Sequence, residues 1–319
     1  MNYESELKVA VEAVRKASGL CVRVQSSLVS EETMKKKDDS PVTVADFGAQ
    51  AVICRELMKS FPDIPIVAEE DSSELKSEGG KALTARILEF AAEVFPGIDE
   101  AGLVAAIDAG DYDGGAGGTF WTLDPIDGTK GFLRGEQYAV ALALIENGRV
   151  VLGVLGCPNL SLDLKQPEGG KGCILTAVRG GGASIRPLDH NTPKRIAVSD
   201  IENTKLAPFC ESVESAHSSH GDSARIAELL GVKAPPIRID SQCKYAVIAR
   251  GDASIYLRLP TKKEYVEKIW DHAAGSIIVE EAGGIVTDAY GKALDFSLGR
   301  TLSGNKGIVA TNGLIHEKV

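Results

Sequence analysis

The chain reads as an α/β protein with room for two layered units sharing an interface, or for one large one, and three observations carry that reading. Apolar residues at steps of three and four mark long helices near the N-terminus. Strand pairs joined by glycine-containing turns mark a β-rich middle. From Arg195 onward, short strands alternate with helices, as an α/β layer requires. A length of 319 residues sets the upper bound of two domains. With 44% hydrophobic and 25% charged residues, the composition is that of an ordinary globular chain.

In order along the chain, Leu7, Val11, Val14, Ala17, Cys21, Val24 and Leu28 form one face of a first helix. A polar loop follows at Lys35-Lys36-Lys37-Asp38-Asp39-Ser40. Then Pro41-Val-Thr-Val-Ala-Asp46 leads into a second helix that stops before Pro62, with Asp46 expected in its first turn, where a carboxylate suits the helix dipole. The short strand 64–68 delivers Glu69, Glu70 and Asp71 at its end. Three consecutive acids repel one another unless a cation or solvent intervenes. A third helix is expected around Thr84 to Phe95, and 110–118 is loop by its glycines.

The stretch Trp121 to Phe132 organises the rest. Phe120 to Leu123 favour a strand, and Asp124-Pro125 is expected to break it, leaving Asp124 and Asp127 close together in a turn. Gly128 lets backbone N–H groups approach an anion, and Thr129 adds a hydroxyl. Carboxylates suit hard cations such as Mg²⁺; the alternative for such a string is a solvated Asx turn. A hairpin then pairs 138–145 with 150–156 across Asn147-Gly148, and a second pairs 173–178 with 183–188. The polar stretch 161–171 marks a domain boundary, giving units 1–160 and 161–319. Strands at 195–199, 208–212, 237–239 and 254–257 alternate with helices near 222–230 and 242–250. An apolar helix starting at Lys268 and ending at Gly283-Gly284, then strands at 285–287 and 307–310, complete the pattern.

The net charge of −10, from 35 basic and 45 acidic residues, speaks against a general nucleic-acid binder. It does not speak against a small anionic substrate, because a bound divalent cation inverts the local field. No stretch reads as a membrane span or a targeting peptide, which makes a cytoplasmic location the default. Six cysteines without metal-ligand spacing are expected as buried reduced thiols, with Cys157–Cys173 as the alternative redox pair. His272 is read as structural, and Trp121 and Trp270 as packing.

Asp124-Pro-Ile-Asp-Gly-Thr129, Trp270-Asp-His-Ala-Ala-Gly275 followed by Glu281-Ala-Gly-Gly284, the Glu69-Glu70 strand end and the 41–46 segment together resemble the lithium-sensitive, Mg²⁺-dependent phosphatase superfamily of inositol monophosphatase and fructose-1,6-bisphosphatase. More narrowly, 128–135, Asp240-Ser-Gln-Cys-Lys-Tyr245 and Tyr256-Leu-Arg-Leu-Pro260 are similar to the 3′(2′),5′-bisphosphate nucleotidases of plants and yeast. The likeness runs from Leu7 to Asn312. It implies a five-layered αβαβα sandwich: an N-terminal α+β half and a C-terminal α/β half, with the site between.

Carried over by position, the resemblance implies two or three Mg²⁺ ions held by Glu69, Asp124, the Ile126 carbonyl, Asp127 and Asp271. Asp46 and Thr129 would polarise the attacking water, and Glu70 would act through a water. Gly128 and Thr129 amides would hold the departing phosphate, and His217, Ser241, Lys244 and Arg258 the nucleotide. The implied reaction removes the 3′-phosphate of 3′-phosphoadenosine 5′-phosphate (PAP), with its sulfated precursor PAPS as a further candidate substrate, and is inhibited by Li⁺. Two alternatives stand beside it: a 1-phosphatase acting on inositol 1,4-bisphosphate, and a nucleotide sensor without turnover. A bisphosphorylated small molecule is thus the expected partner, with no nucleic acid or membrane; monomer or homodimer is left open. The 160–172 link and the stretch after Asn312 are shorter than the family pattern, a departure that bears on how the halves dock.

Overall fold

The apolar row that predicts the first helix lies in α1 (Glu4–Glu31), which packs along α2 (Pro41–Ser60) over one face of a sheet. The computed structural model describes residues 3–31, 41–77, 79–164, 166–190, 192–213, 220–260, 262 and 264–319; the lysine-rich 35–40 loop lies outside these. Proline at the first position of α2 costs no hydrogen bond, so that helix starts at Pro41 and Asp46 falls in its second turn, not its first.

β1 (Ile66–Ala68), α3 (Gly80–Val94) and α4 (Glu100–Asp108) follow. No helix is expected at α4 from the residues alone, although Asp99 caps it by accepting a hydrogen bond from Gly102 N at 2.8 Å. β2 (Thr119–Asp127) runs through Asp124-Pro125, where a break was expected. Its pairing with the next strand of the sheet slips between Asp124 and Asp127, and that bulge absorbs the missing proline N–H. A short helix, α5 (Thr129–Leu133), leads to β3 (Ala139–Glu146) and β4 (Arg149–Ser161), joined by Asn147 and Gly148 at φ 50° and 71° as a two-residue hairpin demands.

β5 (Lys171–Val178), β6 (Gly182–Pro187) and β7 (Lys194–Arg195) continue the same sheet, whose order is β1-β2-β3-β4-β5-β6-β7. All neighbours are antiparallel except β1 and β2. A division at 160/161 would therefore cut this sheet at the end of β4, and the expected strand at 195–199 is only the end of β7. The sheets part between Arg195 and the next strand, β8 (Phe209–Glu211).

α6 (His220–Leu229), β9 (Ile237–Arg238), α7 (Cys243–Ala249), β10 (Ile255–Arg258), α8 (Ala273–Glu281), β11 (Ile285–Thr287) and β12 (Ile308–Thr311) build the second half, with sheet order β11-β12-β10-β8-β9. Strand alternation sets the layers. In β3, Val140, Leu142 and Leu144 join the core under α1 and α2, while Ala139, Ala141 and Ala143 join the core under α7 and α8. In the second sheet, Cys210 and Tyr256 face α7 and α8, whereas Phe209, Ile255 and Leu257 form a third core with Ile226 and Leu230 around α6. The result is five layers, αβαβα.

Candidate active site

β1 and β2 run parallel with Ala68 opposite Leu123, so the next residues, Glu69 and Asp124, lie side by side just past the last β1–β2 pair. Their carboxyls lie within hydrogen-bonding reach of each other. The bulge at Pro125 then turns Ile126 and Asp127 into the same cavity, and Asp271 enters it from the other half, two residues before α8. This cavity of 490 Å³ is also lined by Gly128, Thr129, Ser241, Lys244 and Arg258. The sequence-derived candidates Asp46 and Glu70 do not line it. Asp46 is buried, and burial first, then Glu70 and Glu69, raise its pKa. His217 lies outside the described residues.

The acidic wall is electrostatically unhappy by itself. Burial first, then Glu69, Asp127 and Asp271, push the Asp124 carboxyl well above the usual range, and its Oδ1 is buried with no hydrogen-bond partner. Burial and Glu70 push Glu69 up to about 7, and burial outweighs His272 and Arg258 in raising Asp271 to about 7. Asp127 is raised by burial but eased by Lys244, Arg258 and the Gln242 N–H, which donates to its Oδ2 at 2.5 Å. Four clustered acids, of which Asp124 is buried with an orphaned oxygen and Asp127 and Asp271 are half-buried, are the donor set of a hard divalent cation. The cluster fits one.

The opposite wall is cationic and aromatic. Arg258 donates through Nε to Glu267 Oε1 at 2.9 Å, and its Nη2 lies 2.9 Å from Oε2; the same Nη2 is 3.9 Å from Asp271. His272 ties Glu267 to Tyr245, with Nε2 3.1 Å from Oε2 and Nδ1 2.8 Å from the Tyr245 hydroxyl. Glu267, Asp271 and His272 bring ligand atoms within 4.8 Å of one another, but Glu267 and His272 are already engaged by Arg258 and Tyr245. We read them as a clamp on Arg258. Lys244 is buried, sits 5.4 Å from the Tyr256 ring and has no ion pair among the described residues. Burial lowers its pKa, partly offset by Asp127.

Two local conformations bring the walls together. Gly128 adopts φ 92°, and a Cβ there would meet the Ser241 Cβ at 2.8 Å; Ser241 itself sits at φ 65°. Neighbouring Gln242 spans the site: its Nε2 donates to Trp270 O at 2.8 Å and its Oε1 accepts from Gly275 N at 2.9 Å. Gln50 holds the Glu70 backbone from α2, donating to its oxygen at 2.7 Å and accepting from its nitrogen at 3.1 Å. Arg300 donates to Ala68 O at 2.5 Å and lies 4.9 Å from the Trp270 ring, which lines the cavity besides packing. Sequence reasoning gave none of Gln50, Gln242, Glu267 or Arg300 a role. Gln242 alone had a signal, lying inside the 240–245 motif.

A layered fold of this kind around a buried carboxylate cluster is that of a phosphatase family. Residues 2–319 match the inositol monophosphatase family, and the chain belongs to it. Among solved structures, the extragenic suppressor protein suhB of Bartonella henselae superposes with a TM-score of 0.65 at 24% identity, covering 99% of this chain and 96% of that one. The inositol monophosphatase of Anabaena gives 0.62 at 21% identity, covering 99% and 94%. These likenesses speak for the fold alone. Sequence relatives are nearer: the 3′(2′),5′-bisphosphate nucleotidase of Schizosaccharomyces pombe is 48% identical, over 100% of this chain and 95% of its own length. That of Oryza sativa is 49% identical over 97% and 91%.

Proposed function

We propose that this chain hydrolyses the 3′-phosphate of PAP to give AMP and inorganic phosphate, with PAPS as a further substrate. The observation that carries the reading is the division of charge in one cavity: Glu69, Asp124, Asp127 and Asp271 gather as one acidic group and Lys244 and Arg258 as a basic one, with Asp240, Lys130 and Lys268 also in the lining. A bisphosphate fits that division, one phosphate over the acidic wall with its cations and the other against the basic side chains. The nucleotidase relatives select a nucleotide over an inositol bisphosphate.

Glu69, Asp124, the Ile126 carbonyl, Asp127 and Asp271 would hold two or three Mg²⁺ ions, which supply charge neutralisation and a more acidic bound water. Asp46, whose raised pKa suits a proton acceptor, takes a proton from the attacking water by way of the Thr129 hydroxyl, with Glu70 acting through a further water. The water oxygen bonds to phosphorus as the bond to the 3′-oxygen breaks, and that oxygen leaves with a proton from solvent. Gly128 and Thr129 amides face the departing phosphate, while Ser241, Lys244, Arg258 and His217 hold the nucleotide and its 5′-phosphate. Phosphate release from PAP, with and without Mg²⁺, tests this directly, alongside kcat/KM on inositol 1,4-bisphosphate. A preference for the inositol substrate would overturn the substrate assignment; binding of PAP without release would overturn catalysis.

A further inference from the structure

At the far edge of the seven-stranded sheet lies a second cavity, of 570 Å³, between the start of α1 and the β5–β6 hairpin. It shares no lining residue with the active cavity. Four strand spacings, about 20 Å, separate β6 from β2. We propose that this pocket binds a tetrahedral oxyanion, either sulfate or the phosphate group of a small molecule.

Register builds the site. Thr176 on β5 lies opposite Ser184 on β6, which lies opposite Arg195 on β7, so all three share one face. Arg186, two residues beyond Ser184, stands on that face too, opposite the core residue Ile174. A row that continues a hydrophobic core is here polar and cationic. Among the described residues, the buried Arg186 Nε has no hydrogen-bond partner, and its Nη2 reaches Thr176 Oγ1 alone, at 3.5 Å. Arg195 donates to the Gly181 carbonyl. Neither arginine has a carboxylate within ion-pair distance among the described residues.

Charge accounting sharpens the point. Of the neighbouring arginines, Arg15 pairs with Glu12 at 2.8 Å and Arg179 with Glu280 at 2.5 Å, which leaves the Arg186 and Arg195 guanidiniums uncompensated. Glu4 is the acid among the lining residues. Burial and Arg15 both weaken the hold of Arg186 on its proton, the penalty expected where a counter-anion belongs. In a chain of net charge −10, half-buried Arg186 and exposed Arg195 together make a local positive field that attracts an anion. Two guanidinium forks, and the one hydroxyl proton left free by the Thr176–Ser184 hydrogen bond of 2.9 Å, match an oxyanion, which accepts only. The volume exceeds a bare ion and falls in the range of small-ligand sites, about 300–1,000 Å³. Tyr3 and Leu7 give the remainder of such a ligand an apolar side to lie on.

The test follows arginine Nε–H signals in ¹⁵N-labelled full-length chain, free of Mg²⁺ and at ionic strength fixed with NaCl, while inorganic sulfate or AMP is added. The signals that disappear in Arg186→Gln and Arg195→Gln identify the two residues. Both signals should move saturably, and Arg186→Gln should weaken binding about tenfold or more. Turnover in the Mg²⁺-loaded enzyme should be unchanged. Should Arg186→Gln prove unfolded by its melting curve, Arg195→Gln carries the same measurement. Saturation by sulfate assigns the site to the bare ion; saturation by AMP alone assigns it to a carried phosphate. Signals that stay still or drift linearly with both probes, or variants that bind as tightly as the parent chain, would overturn the proposal.

Discussion

Asp124 and Glu267 are buried alike, at 2% and 4% exposure, and both belong to the surroundings of one cavity, yet their environments act in opposite directions. Around Asp124 stand Glu69, Asp127 and Asp271, and one of its oxygens has no partner, so burial and like charge together raise its pKa. Around Glu267, burial raises the pKa, but His272 and Arg258 more than offset it and hold the carboxyl down at about 2. The difference teaches how the two walls divide the work. One is completed within the polypeptide and can position a guanidinium; the other is left incomplete, and only an added cation completes it.

The largest effect should come from removing a charge on the incomplete wall. Asp124→Asn is expected to lower Mg²⁺-dependent phosphate release by about 10³-fold or more, the scale of a lost electrostatic contact to the transition state. The metal-free melting temperature should meanwhile hold or rise, because a buried repulsion has gone. Glu267→Gln should do the reverse. Breaking a buried pair costs about 3–5 kcal/mol, and the lower end applies because Asp271 remains 3.9 Å from Arg258. Urea titration of both variants checks the contrast; a strongly destabilised Asp124→Asn beside an unaffected Glu267→Gln would break it.

How far this contrast was visible beforehand depends on the range of the interactions. The Asn147-Gly148 turn and the alternation of β3 are local, and the chain shows them openly. Asp124 and Asp271 stood out because each sits in a motif, and they share a cavity although 147 positions separate them along the numbering (271 − 124). Glu267 had no such signal. Its meaning lies in Arg258 and His272, and nothing in the run Tyr265-Val-Glu-Lys268 announces a buried acid. Pro125 misled for a related reason: proline forbids a ladder bond only where one is needed, and the bulge in β2 removes the need. The late parting of the sheets escaped notice because β5 to β7 pair with β4 whatever the polarity of the link before them.

A smaller effect separates Lys244 from Arg258 on the completed wall. Arg258 is clamped by Glu267, whereas Lys244 has no ion pair among the described residues and is held by the Tyr256 ring and the pull of Asp127. Lys244→Gln should therefore raise KM for PAP about tenfold, the loss of one charge-assisted contact, and leave kcat within about twofold. Adenosine 3′-monophosphate, which lacks the 5′-phosphate, should be hydrolysed equally by the variant and the parent chain. A uniform loss on both substrates would instead place Lys244 on the reacting phosphate.

The smallest effect is the most direct reading of the two walls, because it needs no substitution. Glu69 and Asp271 have folded pKa values of about 7, above the ordinary carboxylate range, so without metal the native chain binds more protons than the unfolded one between that range and 7. Their contribution to stability is present below the ordinary carboxylate pKa and is lost as pH rises through 7. Glu267 runs the other way: its contribution is present above the ordinary value and is lost as pH falls towards 2. Metal-free chain should accordingly melt about 1–2 °C lower at pH 7.5 than at pH 5.5, equivalent to about 1 kcal/mol once the share of exposed Glu69 is discounted for solvent screening. Saturating Mg²⁺ should abolish or reverse that slope, since a bound cation favours the ionised carboxylates. A metal-free melting temperature that rises between pH 5.5 and 7.5 would show that the acidic wall is compensated after all, and the distinction between the two walls would fall with it.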